Sequence, residues 1–177
     1  MLAIAIAVKL GSAGPVFFRQ ERVGRGFRPF RIFKFRTMVV DAPQRGGQIT
    51  SGSDDPRITR VGRFLRRWKL DELPQFLNVV VGEMSLVGPR PEVPRFVEMF
   101  RSDYDDILKV RPGITDLASI KFRDEASFLA GTSNPEQVYV QQILPEKLAL
   151  AHDYVARASF GMDLRILFQT VWRMARG

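Results

Sequence analysis

The feature that most restricts the fold of this 177-residue chain is a change of hydrophobic period between residues 38 and 59. Residues 16–38, VFFRQERVGRGFRPFRIFKFRTM, mix aromatics and arginines in two runs around Gly24-Arg25-Gly26, which predicts a β-hairpin. The second run breaks alternation at Ile32-Phe33, implying a bulge or a strand buried on both faces. Residues 41–56, rich in Gly, Ser, Asp and Pro, are expected to form an irregular surface loop. From Thr59 the spacing of Val61, Phe64, Leu65 and Trp68 gives one apolar helical face, with Arg60, Arg63, Arg66 and Arg67 largely off it. Pro74 then opens a second helix through Gln75–Val80, leaving Asp71-Glu72 at a helix start or kink, where free N–H groups and the dipole favour anionic side chains. Residues 85–92, SLVGPRPE, carry too much Pro and Gly for helix and are expected as a rigid loop; Arg111-Pro112-Gly113-Ile114-Thr115 repeats that combination. The stretch Ala156–Arg176 is amphipathic, with Phe160, Leu164, Leu167, Phe168, Val171, Trp172 and Met174 apolar and Arg157, Arg165, Arg173 and Arg176 basic. Its Trp172, Phe168 and Leu164 side is expected to face lipid at a membrane interface or to pack as a surface helix.

These patterns predict a compact α+β unit, an arginine-rich β-hairpin packed with several amphipathic helices, in one domain over residues 1–177. With no G-x-G-x-x-G opening a helix after a strand, no doubly wound dinucleotide-binding sheet is expected. The N-terminus is apolar from Leu2 to Val8 before Lys9, Leu10 and the run Gly-Ser-Ala-Gly-Pro. That is well short of the ~20 residues needed to span a bilayer, and without a basic n-region it does not read as a signal peptide. It fits a core strand or short helix, or part of a membrane-dipping segment.

Cysteine is absent and His152 is the only histidine, so thiolate chemistry and multi-histidine metal sites are excluded. His152 itself reads as a structural residue. Residues 1–70 hold 15 Lys and Arg against 4 Asp and Glu, whereas residues 71–177 hold 12 against 15. So concentrated a positive field suits polyanions: nucleic acid, anionic headgroups, or mono- and diphosphate substrates. Two adjacent carboxylates among arginines, without histidine, suit phosphoryl chemistry, with oxygen ligands for magnesium and guanidinium forks for phosphate. A carboxylate can also be the nucleophile. Alone, the Asp71-Glu72 pair could equally mark an ordinary acidic helix start.

The strings around the pair carry more information. GPVFFRQERVG (14–24), FKFRTM (33–38), DDPRITRVGRFLRRWKLDELPQFLNVVVGEMSLVGPRPE (54–92) and RPGIT (111–115) resemble the bacterial sugar transferases, monotopic polyprenyl-phosphate phosphoglycosyl transferases. The resemblance implies an enzyme at the cytoplasmic face of the bacterial inner membrane that moves a sugar-1-phosphate from a UDP-sugar to polyprenyl (undecaprenyl) phosphate and releases UMP. It implies that Asp71 is the nucleophile and a magnesium ligand, and that Glu72 assists the acceptor. In that scheme Arg66 and Arg90, the latter set between prolines with Pro91, are the first candidates for the diphosphate, followed by Arg111, Lys34 and Arg36. The implied partners are the two substrates and an anionic membrane surface, with no nucleic acid. Family members carry a re-entrant N-terminal helix, of which residues 2–10, LAIAIAVKL, resemble the last part. Residues 116–125, DLASIKFRDE, depart from the Gly-containing, aromatic-rich continuation of many members, which bears on sugar choice. A competing reading, a basic nucleic-acid-binding module without catalysis, draws on the aromatic and arginine residues of 16–38 but leaves DELPQ and GPRPE without a role.

Overall fold

The expected hairpin is present in the computed structural model of the chain, which describes residues 1–45, 50, 55–129, 131–132 and 134–175. Strand β1 (Phe17–Val23) pairs antiparallel with β2 (Pro29–Phe35) in unbroken register, from Phe17 opposite Phe35 to Val23 opposite Pro29. No bulge interrupts it; instead β2 is buried on both faces, by Phe30 and Ile32 on one and Phe35 on the other. Residues 46–49 and 51–54 of the loop expected over 41–56 lie outside the described residues.

One end of the hairpin carries helix α1 (Leu2–Gly11), so the apolar N-terminal stretch is helical rather than extended. Its Val8 meets Phe35 and Leu65 in a small core, while Leu2, Ile6 and Leu10 are exposed. Helix α2 (Arg60–Arg67) starts at Thr59, whose hydroxyl accepts from the Gly62 amide at 2.9 Å, a cap worth about 1 kcal/mol. A Cβ on Gly62 would sit 2.0 Å from the Thr37 carbonyl oxygen, so α2 lies directly on the chain leaving β2. The expected apolar face of α2 is only partly used: Leu65 is buried, but Phe64 and Trp68 are 58% and 37% exposed. Val61, Gly62 and Leu65 take the contact, and the two aromatics are left largely exposed.

After α3 (Gln75–Val80), residues 85–87 depart from the loop expectation. They form β3 (Ser85–Val87), parallel to β4 (Gly113–Thr115), so the two proline-rich strings pair with each other. Gly88 and Gly113 permit the approach, because a Cβ on Gly113 would lie 2.2 Å from the Gly88 nitrogen. Only the remainder of the string, residues 88–92, is a loop.

The larger core lies beyond this pairing. Helices α4 (Pro94–Met99), α5 (Arg101–Ile107), α6 (Leu117–Lys121), α7 (Glu125–Leu129) and α8 (Pro135–Val138) gather around α9 (Leu144–Arg157), entered through a π turn at Tyr139–Ile143. Phe96, Ile107, Leu129, Tyr139, Leu144 and Leu148 are among its buried members. The amphipathic C-terminal stretch is broken rather than continuous: α9 ends at Arg157, and Ser159 opens α10 (Phe160–Ala175) by accepting from the Met162 and Asp163 amides. Arg176, counted in the basic set of that stretch, lies outside the described residues. Among the described residues no helix is long and apolar enough to cross a membrane.

Candidate active site

The two carboxylates singled out in the sequence sit in a 3-10 turn, Leu70–Glu72, between α2 and α3. The kink is made by Lys69, which adopts the left-handed conformation at φ 54° and redirects the chain after Trp68. From that turn the backbone runs helically through Pro74 into α3, so Asp71, Gln75 and Asn78, spaced four and seven apart, fall on one side. That side faces inward: Asp71 is 7% exposed, and Gln75 and Asn78 are fully enclosed.

The carboxylates have opposite surroundings. Glu72 is gripped by both forks of Arg90, with Nη1 at 3.2 Å from Oε2 and Nη2 on Oε1, and by Lys34 Nζ at 2.8 Å. Burial pushes the Glu72 carboxyl up, but the charges of Arg90 and Lys34 more than offset it and hold it well below the usual range. The same pair raises the pKa of Arg90, through the Glu72 charge above all. Lys34 is lowered, because burial outweighs the pull of Glu72. Asp71, in contrast, keeps Oδ1 buried with no hydrogen-bond partner among the described residues. Burial pushes its carboxyl up, against the attraction of Lys34 and with the repulsion of Glu72 added.

The candidates named from the sequence separate clearly. Lys34 and Arg90 converge on Glu72. Arg66 donates from Nε to the Thr37 hydroxyl at 2.9 Å and from Nη1 to that of Thr50 at 3.2 Å; burial lowers its pKa while the charge of Asp71 opposes the shift. Arg36 is not brought to the dyad. Its guanidinium is spent on Ser12, Ala13 and Pro15, clamping the segment that leaves α1. Arg111 is also elsewhere, donating to the Gly82 carbonyl at 2.9 Å and lining a cavity of about 650 Å³ with Arg25, Arg28 and Glu83. Pro91 is buried, and its carbonyl accepts from Arg22 at 3.1 Å, so it stiffens the loop that carries Arg90. His152 meets Asp103 at 3.2 Å, in keeping with a structural role.

Several residues of the site were not named from the sequence. Asp116 holds the backbone of Arg90, accepting its amide at 3.1 Å while capping α6 through the Ser119 amide at 2.7 Å. Asn78 ties α3 to β2, accepting from the Phe33 amide and donating to the Arg31 carbonyl, each at 3.0 Å. Gln75 lies between Asp71 and Asn78 with neither amide atom partnered. A signal for these two existed: positions 75 and 78 are polar where a core-facing helix would be apolar, and Phe76, Leu77, Val80 and Val81 fall on the other side.

The donor set bears on magnesium. Among the described residues no three His, Cys, Asp or Glu side chains gather as a protein-only cage. Asp71, a buried carboxylate in no ion pair among the described residues, is the kind of hard donor this ion takes when substrate phosphates and water supply the rest. The residues present therefore fit a magnesium shared with a diphosphate. Lys34, Arg66, Lys69 and Arg90 against Asp71 and Glu72 leave the site positive overall, as a phosphate-binding pocket requires.

The chain is 38% identical over 182 residues to the UDP-N-acetylgalactosamine-undecaprenyl-phosphate N-acetylgalactosaminephosphotransferase of Aeromonas hydrophila, covering all of this chain and 39% of that protein. It is 39% identical over 178 residues to the UDP-glucose:undecaprenyl-phosphate glucose-1-phosphate transferase of Escherichia coli K12, covering 98% of this chain and 35% of the relative. Against the exopolysaccharide production protein PSS of Rhizobium leguminosarum the identity is 36% over 179 residues, 97% of this chain and 83% of that protein. The chain thus spans little more than a third of the length of the first two relatives. Residues 1–177 match the family described as bacterial sugar transferase, and the chain belongs to that family.

Proposed function

We propose that this chain transfers a sugar-1-phosphate from a UDP-sugar to undecaprenyl phosphate, with Asp71 as the covalent nucleophile. The observation that carries the reading is the asymmetry of the dyad: Glu72 is fully engaged by Arg90 and Lys34, whereas Asp71 is buried beside it in no ion pair among the described residues. Family membership and the substrate names of the relatives support the donor and acceptor classes.

In the first step a carboxylate oxygen of Asp71 attacks the β-phosphorus, the bond to the bridging oxygen breaks, and UMP leaves with the electron pair. A polyprenyl phosphate oxygen then attacks the same phosphorus, and the pair in the phosphorus–aspartate bond returns to Asp71. Arg90 and Lys34 hold Glu72 ionised beside the nucleophile, and Glu72 in turn fixes both cations where they can meet the acceptor phosphate. Arg66, on the other side of the turn, offsets the charge of Asp71 and of the incoming diphosphate. Magnesium, held by Asp71 and diphosphate oxygens, would neutralise charge on the leaving UMP.

The setting is the cytoplasmic face of the bacterial inner membrane, at the first lipid-linked step of glycan assembly. Leu2, Ile6 and Leu10 of α1, Phe76, Leu77 and Val80 of α3, and Phe160, Leu164, Phe168 and Trp172 of α10 are all exposed and available to lipid. Exposed Arg165 and Arg173 on α10 suit anionic headgroups.

The test is to incubate the chain with magnesium, undecaprenyl phosphate and a panel of UDP-sugars while following UMP release and intact protein mass. One UDP-sugar should release UMP and leave a phosphosugar adduct on the enzyme when acceptor is omitted. UMP release without a trappable adduct would replace the covalent route with direct transfer. Salt-sensitive oligonucleotide binding without turnover would instead favour the nucleic-acid reading.

A further inference from the structure

Helix α3 buries two carboxamides on the same side, and they are treated differently. Asn78 is satisfied at both ends, by the Phe33 amide at 3.0 Å, the Arg31 carbonyl at 3.0 Å and Glu83 Oε2 at 2.7 Å. It is a structural clamp. Gln75, three residues earlier and equally enclosed at 0% exposure, has both Nε2 and Oε1 without a partner among the described residues. A buried amide in that condition opposes folding, so its presence asks for an explanation other than stability. The nearest functional group along the helical path is Asp71, four residues before, and its Oδ1 is the other enclosed oxygen of this stripe that lacks a partner.

Resting on the covalent route proposed above, we infer that Gln75 is the positioning residue of the nucleophile, its Nε2 donating to Oδ1 of Asp71 once the other carboxylate oxygen is bonded to phosphorus. Esterification turns Oδ1 into the carbonyl oxygen of an acyl phosphate, which neither Lys34 nor Arg66 is placed to hold as a planar acceptor. Hydrogen bonds of this kind are commonly long or absent in the free enzyme and close in the loaded one. The clamp at Asn78 keeps the Gln75 amide in place beneath the site, and full enclosure keeps water from substituting for it. When the acceptor attacks phosphorus, the departing electron pair spreads over both oxygens of Asp71. A donor bonded to Oδ1 in the adduct stabilises that charge as it develops. Gln75 therefore acts mainly on discharge of the adduct, and through Asp71 rather than on the substrate.

Gln75→Met keeps length and removes both amide atoms, which separates this role from a structural one. With a turned-over UDP-sugar, magnesium and acceptor, steady-state turnover should fall about 10- to 100-fold. The UMP burst without acceptor should stay near the parental amplitude, and intact mass should show an adduct that outlives the parental one when acceptor is added. Thermal stability should equal or exceed the parent, because an unsatisfied buried group has been replaced by an apolar one. Gln75→Leu should repeat the pattern. Parental turnover and adduct lifetime in both variants would overturn the inference and leave the reaction standing. A lowered melting temperature would also overturn it, by showing that the amide is bonded in the fold. A parent that forms no adduct with any UDP-sugar would remove the covalent route and this inference together.

Discussion

Helices α9 and α3 sort their side chains in opposite directions. In α9 the residues turned inward are Leu144, Leu148, Ala151 and Tyr154, and the charged Glu146, Asp153 and Arg157 lie on the more accessible sides. In α3 the inward residues are Gln75 and Asn78, while Phe76, Leu77 and Val80 are 48%, 45% and 83% exposed. Hydrophobic burial can account for the placement of the first helix. It cannot account for the second, which is held to β2 by the hydrogen bonds of Asn78 and turns a polar stripe toward Asp71. The difference marks α9 as scaffold and α3 as part of the site.

Four measurements press on that contrast, beginning with the largest effect. Asp71→Asn should cut turnover at least ~10³-fold and leave no adduct by intact mass, while its melting temperature holds or rises, because the charge of a buried carboxylate is removed. Next, Leu148→Ala in α9 should cost about 2–5 kcal/mol by denaturant titration with turnover per folded molecule unchanged; a comparable loss of turnover would erase the division between scaffold and site.

Third, Glu72→Gln leaves Arg90 and Lys34 facing each other without their counter-charge. The side chains are 13%, 32% and 20% accessible, so the full cost of breaking a buried pair is partly screened and about 1–3 kcal/mol is expected at neutral pH. The sign with pH follows from the depressed carboxyl. Its contribution is fully present above the ordinary value of 4.5 and fades as pH falls through its lower folded value, so parent and variant should converge in acid. A melting-temperature gap that persisted undiminished at low pH would assign the stabilisation to something other than the ion pairs. Smallest in the folded protein is Val80→Asp: at 83% exposure it should change stability by under ~0.5 kcal/mol, yet reduce flotation with anionic vesicles. Unchanged flotation would detach the outward face of α3 from the membrane.

Legibility differed between elements for identifiable reasons. The hairpin and the two helices flanking the dyad followed from local cues: a glycine turn, the apolar spacing from Val61 to Trp68, and Pro74 ahead of α3. The pairing of β3 with β4 did not, since each strand is three residues long and one partner lies 28 positions further on, Gly113 opposite Ser85. Among site residues, Arg90 was a first candidate and Lys34 a later one, and both are brought to Glu72. Arg36 and Arg111 were equally plausible by type but are bonded to backbone carbonyls elsewhere. Arginine is so versatile a donor that composition alone cannot say which acceptor it meets.

By itself the sequence determined the family, the hairpin, the helices on either side of the turn and the candidate carboxylate pair, because turn chemistry, hydrophobic period and contiguous strings are all short-range information. Only the tertiary structure decided that Glu72 is tied and Asp71 is not, and that one buried amide of α3 is satisfied while its neighbour is left open. Those distinctions depend on which groups from residues 31–34, 90 and 116 arrive at the turn. A hydrogen bond exists only when chain segments far apart in sequence are packed to within about 3 Å.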